Sequence, residues 1–253
     1  YLAIESGSTL TTEYRILEAD NPDGKFRVFQ KRVRGLEYSI NHYGDSFYIM
    51  TNADKATNFK LMKTLETATS KENWTEVVPH REDVLLEDIE IFKDFLVVEE
   101  RFNGLNRIRI MPWSGIGEYY LPFDSETYTA YTSGNVDFDT DILRYSYQSI
   151  TTPSSVIDFN MKTKTKEIKK EQQVLGGKFD KNNYTEERIW ATAKDGTQIP
   201  ISMVYRKGLN KNGKNPLLLY AYGSYGHSMD ATFSSTRLSL LDRGFVFAIA
   251  HIR

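Results

Sequence analysis

Four segments of this chain share one pattern, and their spacing limits what the chain can fold into. Each begins with a short apolar run, continues through a polar turn and ends in a second, alternating run. The segments are YLAIESGSTLTTEYRILEA (1–19), FYIMTNADKATNFKLMKT (47–64), FLVVEERFNGLNRIRIMPW (95–113) and ILRYSYQSITTPSSVIDFNMKT (142–163). Their starts recur every ~47 residues, a period typical of β-propeller blades.

The alternation within the repeat indicates strands with two different faces. In RIRIMPW, Ile108 and Ile110 point to one side while Arg107 and Arg109 point to the other, which predicts one buried and one solvated face. Further strand-like pieces lie between the hairpins, at 25–33, 85–92 and 125–133. Four strands per repeat make a blade, so residues 1–173 supply about three and a half blades of a propeller. A β-sandwich with accidental spacing is the alternative.

The pattern changes near residue 175. VLGGKFDKNN (174–183) indicates a linker, and Asp195-Gly196 between two alternating runs predicts a β-hairpin. PLLLYAYG, from residue 216, predicts a strand covered on both faces, 234–244 a short helix, and FVFAIAHI (245–252) a second buried strand. Strand, helix and strand form a βαβ unit, which requires a parallel sheet. We therefore predict propeller blades over 1–175 and an incomplete α/β domain over 176–253.

Composition excludes several classes of function. A net charge of −2 provides no basic field for nucleic acid or anionic lipid. The absence of cysteine excludes disulfides and thiolate catalysis, and the four histidines form no H-x-x-x-H pattern, so we expect no metal or other cofactor. We find no apolar run long enough to span a membrane, and we expect the cytoplasm, with the periplasm as an alternative. The chain starts at Tyr1 and stops at Arg253 after an apolar strand, so we expect a longer polypeptide whose remainder packs against it.

The segment LLLYAYGSYGHSMD (217–230) is the candidate functional loop. In an open parallel sheet, ligands bind beyond the carboxyl ends of the strands, where this loop begins. Tyr222 could donate a hydrogen bond to a developing negative charge, and Asp230 could pair with a cation. A tyrosine that simply packs at a strand end is the alternative for Tyr222.

Two stretches of the chain resemble a known family. PLLLYAYGSYGHSMDATFSSTRLSLLDRGFVFAIAHIR (216–253) and YTEERIWATAKDGTQIPISMVYRKG (184–208) resemble the start of the peptidase domain in the prolyl oligopeptidase family, and most of all its oligopeptidase B (protease II) branch. The resemblance implies an α/β-hydrolase serine peptidase gated by a seven-bladed propeller. It also implies hydrolysis of short peptides after Arg or Lys.

The resemblance assigns roles to three residues. Tyr222 matches the tyrosine whose hydroxyl stabilises the oxyanion, Tyr225 an aromatic position near the primary side-chain pocket, and Asp230 a carboxylate that recognises a basic residue in the neighbouring subsite. Family members often carry a second acid where this chain has Thr232, which implies a less acidic subsite.

The nucleophile of the family lies in a G-x-S-x-G elbow, which this chain lacks, because Tyr222 stands two residues before Ser224. The triad is therefore expected beyond residue 253, and the chain alone should hydrolyse nothing. A non-catalytic β-propeller interaction module with a degenerate α/β tail is the alternative function.

Three structural predictions concern residues outside the loop. His251 is expected to be a hydrogen-bonded core residue, because it lies in an apolar strand. Glu99, Glu100 and Arg101 are expected on a solvated blade edge or turn, and so is the lysine-rich run 162–170.

Overall fold

A computed structural model describes residues 1–252, and strands dominate it. The chain forms two compact units, one over Tyr1–Ile91 and one from Phe92 onward. The first unit contains β1 Leu2–Ser8, β2 Thr11–Leu17, β3 Arg27–Val28, β4 Tyr38–Tyr43, β5 Ser46–Thr51, β6 Lys60–Leu65, β7 Thr75–Val78 and β8 Val84–Ile91, with 3-10 helices at Ala53–Lys55 and Lys71–Asn73.

The first unit is built from sheets of neighbouring strands. One sheet has the order β1-β2-β3 and another the order β4-β5-β6-β7, with every adjacent pair antiparallel. Side chains of these strands and of the segments next to them form one apolar cluster, which includes Ile16, Phe29, Phe47, Ile49 and Trp74. Sequential strands that pair with their neighbours in this way form the meander of a propeller blade.

The second unit continues the same pattern and then changes it. Its strands are β9 Phe95–Phe102, β10 Leu105–Pro112, β11 Tyr119–Tyr120, β12 Tyr128–Thr132, β13 Ile142–Ser149, β14 Ser155–Asn160, β15 Lys166–Glu171, β16 Tyr184–Thr192, β17 Gln198–Arg206, β18 Leu217–Ala221 and β19 Val246–Ala250. The helix α1 spans Ser235–Leu241, and a 3-10 helix spans Lys181–Asn183. The order β12-β13-β14-β15 is again an antiparallel meander, whereas the last sheet has the order β16-β17-β19-β18.

All four predicted repeat hairpins are confirmed. They are the antiparallel pairs β1/β2, β5/β6, β9/β10 and β13/β14. The hairpin predicted at Asp195-Gly196 is also confirmed as β16/β17, with Gly196 at φ 87°. A positive φ is accessible to glycine at little cost, which explains why the turn forms at this residue.

The prediction of a solvated edge at Glu99, Glu100 and Arg101 is wrong, because all three lie on a strand that is buried from Phe95 to Glu100. Glu100 is fully buried and lies 3.5 Å from an Arg107 nitrogen and 3.5 Å from an Arg109 nitrogen. The arginine side chains of β10 therefore lie next to the buried Glu100 carboxylate and do not form a fully solvated face. Buried charges require such partners.

Two other predictions at sheet edges have opposite outcomes. The lysine-rich strand β15 is exposed at every position, as expected of a charged edge strand. The strand predicted over PLLLYAYG exists as β18, but it is not covered on both faces within residues 1–252, because all five of its residues are exposed. β18 is the outer strand of its sheet and pairs with β19 on one side only.

Candidate functional site

The candidate site is the loop between β18 and α1, at the carboxyl end of β18. β18 and β19 run parallel in register, Leu217 opposite Val246 and Ala221 opposite Ala250, which confirms the predicted βαβ unit. The helix between them begins where the Ser234 hydroxyl accepts a hydrogen bond from the Arg237 amide, at 3.4 Å. It ends before Gly244, which has φ 84°. The loop 222–234 thus leaves the sheet where parallel sheets bind ligands.

The first half of the loop is a tight turn that exposes an aromatic ring. Tyr225 and Gly226 both have positive φ, 58° and 68°, and the His227 amide donates to the Ser224 carbonyl at 3.1 Å. Two successive residues with positive φ define a type I′ turn. A bulky residue in this region is strained, and Tyr225 is 95% exposed, so packing does not account for its conformation.

Tyr222 lies between β18 and this turn. Its side chain is 40% exposed, and its ring meets the His227 ring edge-on with centroids 6.0 Å apart. Across residues 1–252 its hydroxyl makes no hydrogen bond with the protein. The phenol is thus available as a donor to a ligand.

The second half of the loop is anchored to the sheet through His251. His251 is 6% exposed; its Nδ1 lies 2.8 Å from the Met229 carbonyl oxygen and its Nε2 lies 2.7 Å from the Ser202 hydroxyl. A carbonyl only accepts, so Nδ1 carries the proton and Nε2 accepts from Ser202. Burial, reinforced by the positive charge of Arg188, lowers the pKa of His251 to about 4. His251 is therefore a neutral, hydrogen-bonded core residue, as predicted.

Two further contacts hold the residues that follow Asp230. Arg237 of α1 donates to the Thr232 carbonyl at 2.9 Å, and its guanidinium lies 3.9 Å from the centroid of the Phe247 ring. Burial lowers the pKa of Arg237 to about 10. The Phe233 amide donates to the Gln148 side chain at 3.0 Å. The loop is thus fixed between 229 and 233, whereas its aromatic turn projects outward.

Asp230 is paired within the protein. Its carboxylate accepts a hydrogen bond from Arg101 Nη1 at 2.8 Å and a short one from the Tyr131 hydroxyl. Arg101 Nη2 also donates to the Tyr131 oxygen at 3.1 Å, which closes a triangle of three side chains. Burial, followed by the hydrogen bond to Asp230, raises the pKa of Tyr131 to about 12, so that its hydroxyl remains protonated and donates.

The sequence motif predicted a substrate cation opposite Asp230 and gave no indication of Arg101 or Tyr131 as its partners. Arg101 was assigned to a solvated edge, and it lies 129 positions before its partner. One usable signal was Asn103-Gly104, a typical hairpin turn that places Arg101 at the end of β9. Gly104 has φ 77°, and a Cβ there would lie 3.2 Å from the His251 Cβ, so this turn packs closely against the end of β19.

Two clefts lie in the second unit, and within residues 1–252 neither is lined by Tyr222, Tyr225 or Asp230. A cleft of about 260 Å³ is lined by Arg101, Trp190, Ser228 and His251, next to the Asp230 cluster. A larger cleft of about 510 Å³ is lined by Phe123, Tyr147 and Glu186, among others. The smaller cleft adjoins the loop, because Ser228 lines it and Arg101, another lining residue, pairs with Asp230. The candidate site is therefore the loop together with this cleft.

Residues 1–252 contain no group of three or more His, Asp or Glu side chains arranged to hold a metal ion. Within the same residues, no helix has the length and apolar content that crossing a membrane requires.

Comparison with known proteins identifies the family. Residues 1–172 match the family model described as prolyl oligopeptidase, N-terminal beta-propeller domain. Over the whole chain, identity is 45% to dipeptidyl aminopeptidase BI of Pseudoxanthomonas mexicana, covering 35% of that protein, and 32% to Protease 2 of Moraxella lacunata, covering 36%. Oligopeptidase B from Leishmania major superposes with a TM-score of 0.90 at 35% identity, over 99% of this chain and 36% of that chain.

These matches confirm the predicted partial β-propeller and the predicted family. The chain spans about a third of the length of the relatives it matches. The family model covers more than half of the chain, and the likeness to the solved oligopeptidase B extends over nearly all of it. This chain therefore belongs to the prolyl oligopeptidase family, and its first 172 residues are propeller sequence of that family.

Proposed function

We propose that this chain is a segment of a serine oligopeptidase that hydrolyses short peptides after Arg or Lys. In this proposal, residues 1–175 are the later blades of the propeller, and 176–253 are the first part of an α/β-hydrolase peptidase domain. The nucleophile, acid and base lie elsewhere in the polypeptide, so the segment alone is inactive. The names of the relatives, a dipeptidyl aminopeptidase, Protease 2 and oligopeptidase B, support a peptidase.

One observation carries the catalytic assignment. The Tyr222 hydroxyl has no hydrogen-bond partner in residues 1–252. Tyr222 directly follows β18, at the carboxyl end of the parallel pair β18/β19. When a serine oxygen attacks the peptide carbonyl, the carbonyl oxygen becomes an oxyanion. A phenol held at that position donates a hydrogen bond that is stronger in the transition state than in the bound substrate.

The other two predicted residues have binding roles in this proposal. Tyr225 projects from the strained turn and contributes an aromatic wall to the primary side-chain pocket. Asp230 contributes negative charge to the adjacent subsite. Both assignments follow from the family motif, and the exposure of Tyr225 is compatible with contact to a ligand.

The test is Tyr222→Phe in the intact peptidase, assayed with a short chromogenic peptide ending in Arg. Loss of one oxyanion donor costs about 2.7–4 kcal/mol, so kcat should fall about 10²- to 10³-fold while KM changes little. Tyr220→Phe is the matched control, since Tyr220 lies two residues earlier on β18 and is 45% exposed. An unchanged kcat for Tyr222→Phe would remove this residue from the oxyanion site, and a protein without hydrolytic activity would favour the non-catalytic propeller module.

A further inference from the structure

We infer that Arg101 sets the specificity of the subsite at Asp230, by neutralising its carboxylate and thereby reducing the preference for a second basic residue in the substrate. This inference rests on the proposed function, because it concerns the same peptidase site. It adds a residue from a propeller strand that lies 129 positions from the loop motif.

The geometry of the pair carries the first step. Arg101 Nη1 lies 2.8 Å from Asp230 Oδ1, and the two side chains are 11% and 20% exposed. The Arg101 guanidinium therefore takes the place that the cationic group of a basic substrate residue would otherwise occupy next to the carboxylate. Arginine and carboxylate pair through directed hydrogen bonds, so Arg101 uses the same acceptor positions that a substrate guanidinium needs.

Tyr131 engages the second carboxylate oxygen of Asp230. Its hydroxyl donates to Asp230 Oδ2 and accepts from Arg101 Nη2. Both carboxylate oxygens are therefore engaged by the protein itself. Thr232, two residues later, contributes a neutral side chain at the second position of the motif. Asp230 and Arg101 together carry no net charge, so the subsite has little attraction for a cation.

Both Arg101 and Asp230 lie next to backbone that is packed in the fold. Arg101 precedes the Asn103-Gly104 turn, which packs against His251, and Asp230 follows Met229, whose carbonyl accepts from His251. The same buried histidine thus lies against the turn that follows Arg101 and hydrogen-bonds the residue before Asp230. A substrate side chain that displaces Arg101 has to break a pair whose members are held in place by the fold, and this opposes binding of a second basic residue.

The test compares two peptides in the intact peptidase, one with Arg-Arg and one with Gln-Arg before the cleaved bond. The measured quantity is the ratio of their kcat/KM values. Arg101→Gln should raise this ratio about tenfold in favour of Arg-Arg, because the Asp230 carboxylate keeps the Tyr131 hydrogen bond but loses its counter-charge and can pair with a substrate cation. A tenfold change corresponds to about 1.4 kcal/mol. Arg101→Lys keeps the charge and should restore the ratio to within about twofold of the original enzyme.

A matched control separates charge from general damage. Arg144 pairs with Asp158 at 2.7 Å on β13 and β14, so Arg144→Gln removes an arginine–aspartate pair outside the site and should leave the ratio unchanged. Should Arg101→Gln fail to fold, Arg101→Met provides a second neutral variant that retains the packed aliphatic stem.

The outcomes distinguish this inference from the proposed function. If Asp230→Asn lowers the ratio but neither neutral variant of Arg101 changes it, the inference is overturned and the peptidase proposal stands. If Asp230→Asn has no effect on the ratio even when Arg101 is replaced by glutamine, both the inference and the subsite role of Asp230 are overturned. A raised ratio in Arg101→Gln that disappears in Arg101→Gln/Asp230→Asn supports the inference.

Discussion

Replacing His251 by glutamine should reduce the loss of stability of the sheet that holds the candidate loop between about pH 6.5 and pH 4. His251 is 6% exposed, and burial with the nearby Arg188 charge lowers its pKa to about 4, whereas the ordinary histidine pKa is 6.5. Well above pH 6.5 the imidazole is neutral in both the folded and the unfolded chain. Below pH 6.5 the unfolded chain binds a proton that the folded chain does not bind, so the free energy of unfolding falls until about pH 4.

The magnitude follows from that interval. At about 1.4 kcal/mol per pKa unit, the range from 6.5 to about 4 corresponds to about 3 kcal/mol. His251→Gln is expected to lose about 1–3 kcal/mol at neutral pH, because the Met229 carbonyl and the Ser202 hydroxyl lose well-placed partners. Between about pH 6.5 and pH 4, the free energy of unfolding should therefore fall by about 3 kcal/mol less in His251→Gln than in the original protein.

The assay is urea unfolding at several pH values across this range, with amide hydrogen exchange of the β19 peptide as the probe. A local probe is needed because the chain has two compact units and a single global transition is not assured. His227→Gln is the control, since His227 is an exposed histidine of the same loop. Equal pH slopes for the original protein and His251→Gln would refute the assignment of a buried neutral imidazole.

Three further substitutions test other parts of the second unit by urea unfolding. Glu186→Ala should cost about 1–3 kcal/mol, because the Glu186 carboxylate accepts three hydroxyl hydrogen bonds; an unchanged midpoint would show these bonds to be dispensable. Glu100→Gln should cost about 3 kcal/mol, because Arg107 loses its buried counter-charge and Arg109 keeps only the exposed carboxylate of Glu118; suppression of this loss by Arg107→Met would support that cause. Ile108→Ala should cost about 2–5 kcal/mol, since Ile108 is fully buried; a cost below about 1 kcal/mol would contradict the core assignment.

Local pattern was sufficient to predict the elements whose partners are close in sequence. Each repeat hairpin pairs two strands joined by a short loop, and the alternation of side chains fixed the inward residues, such as Ile108 and Ile110, which are both fully buried. The parallel pair β18/β19 was also predictable, because a short capped helix between two apolar runs has few other solutions.

The same rules failed where a distant partner decides the environment. FLVVEERF carries three adjacent charges, which local pattern assigns to solvent, yet Glu100 is buried because two arginines of β10 and the Tyr120 hydroxyl satisfy it. Arg101 is covered because Asp230 and Tyr131 reach it from other elements. Charge alone predicts exposure, and only tertiary pairing reverses that prediction.

The exposure of β18 is a failure of a different kind. An unbroken apolar run predicted cover on both faces, but the outer strand of a sheet has cover only where another element packs on it. Within residues 1–252, Leu217, Leu218 and Leu219 remain 44–57% exposed. The apolar composition of a strand indicates that it is suited to burial on both faces. Whether other elements cover those faces depends on the position of the strand in its sheet.

The arrangement of the loop gives the oxyanion proposal its physical basis. A donor contributes most to catalysis when it is already in place before charge develops, so that no reorganisation is needed during the reaction. The segment from Tyr222 to Met229 begins directly after the paired strand β18, and buried His251 hydrogen-bonds the carbonyl at its end. The tight turn at Tyr225 lies between these two ends. The Tyr222 hydroxyl nevertheless has no partner within residues 1–252. A constrained backbone that carries an uncommitted donor is better suited to stabilising a ligand's charge than to core packing, where buried hydroxyls acquire partners as those of Tyr131 and Tyr38 do.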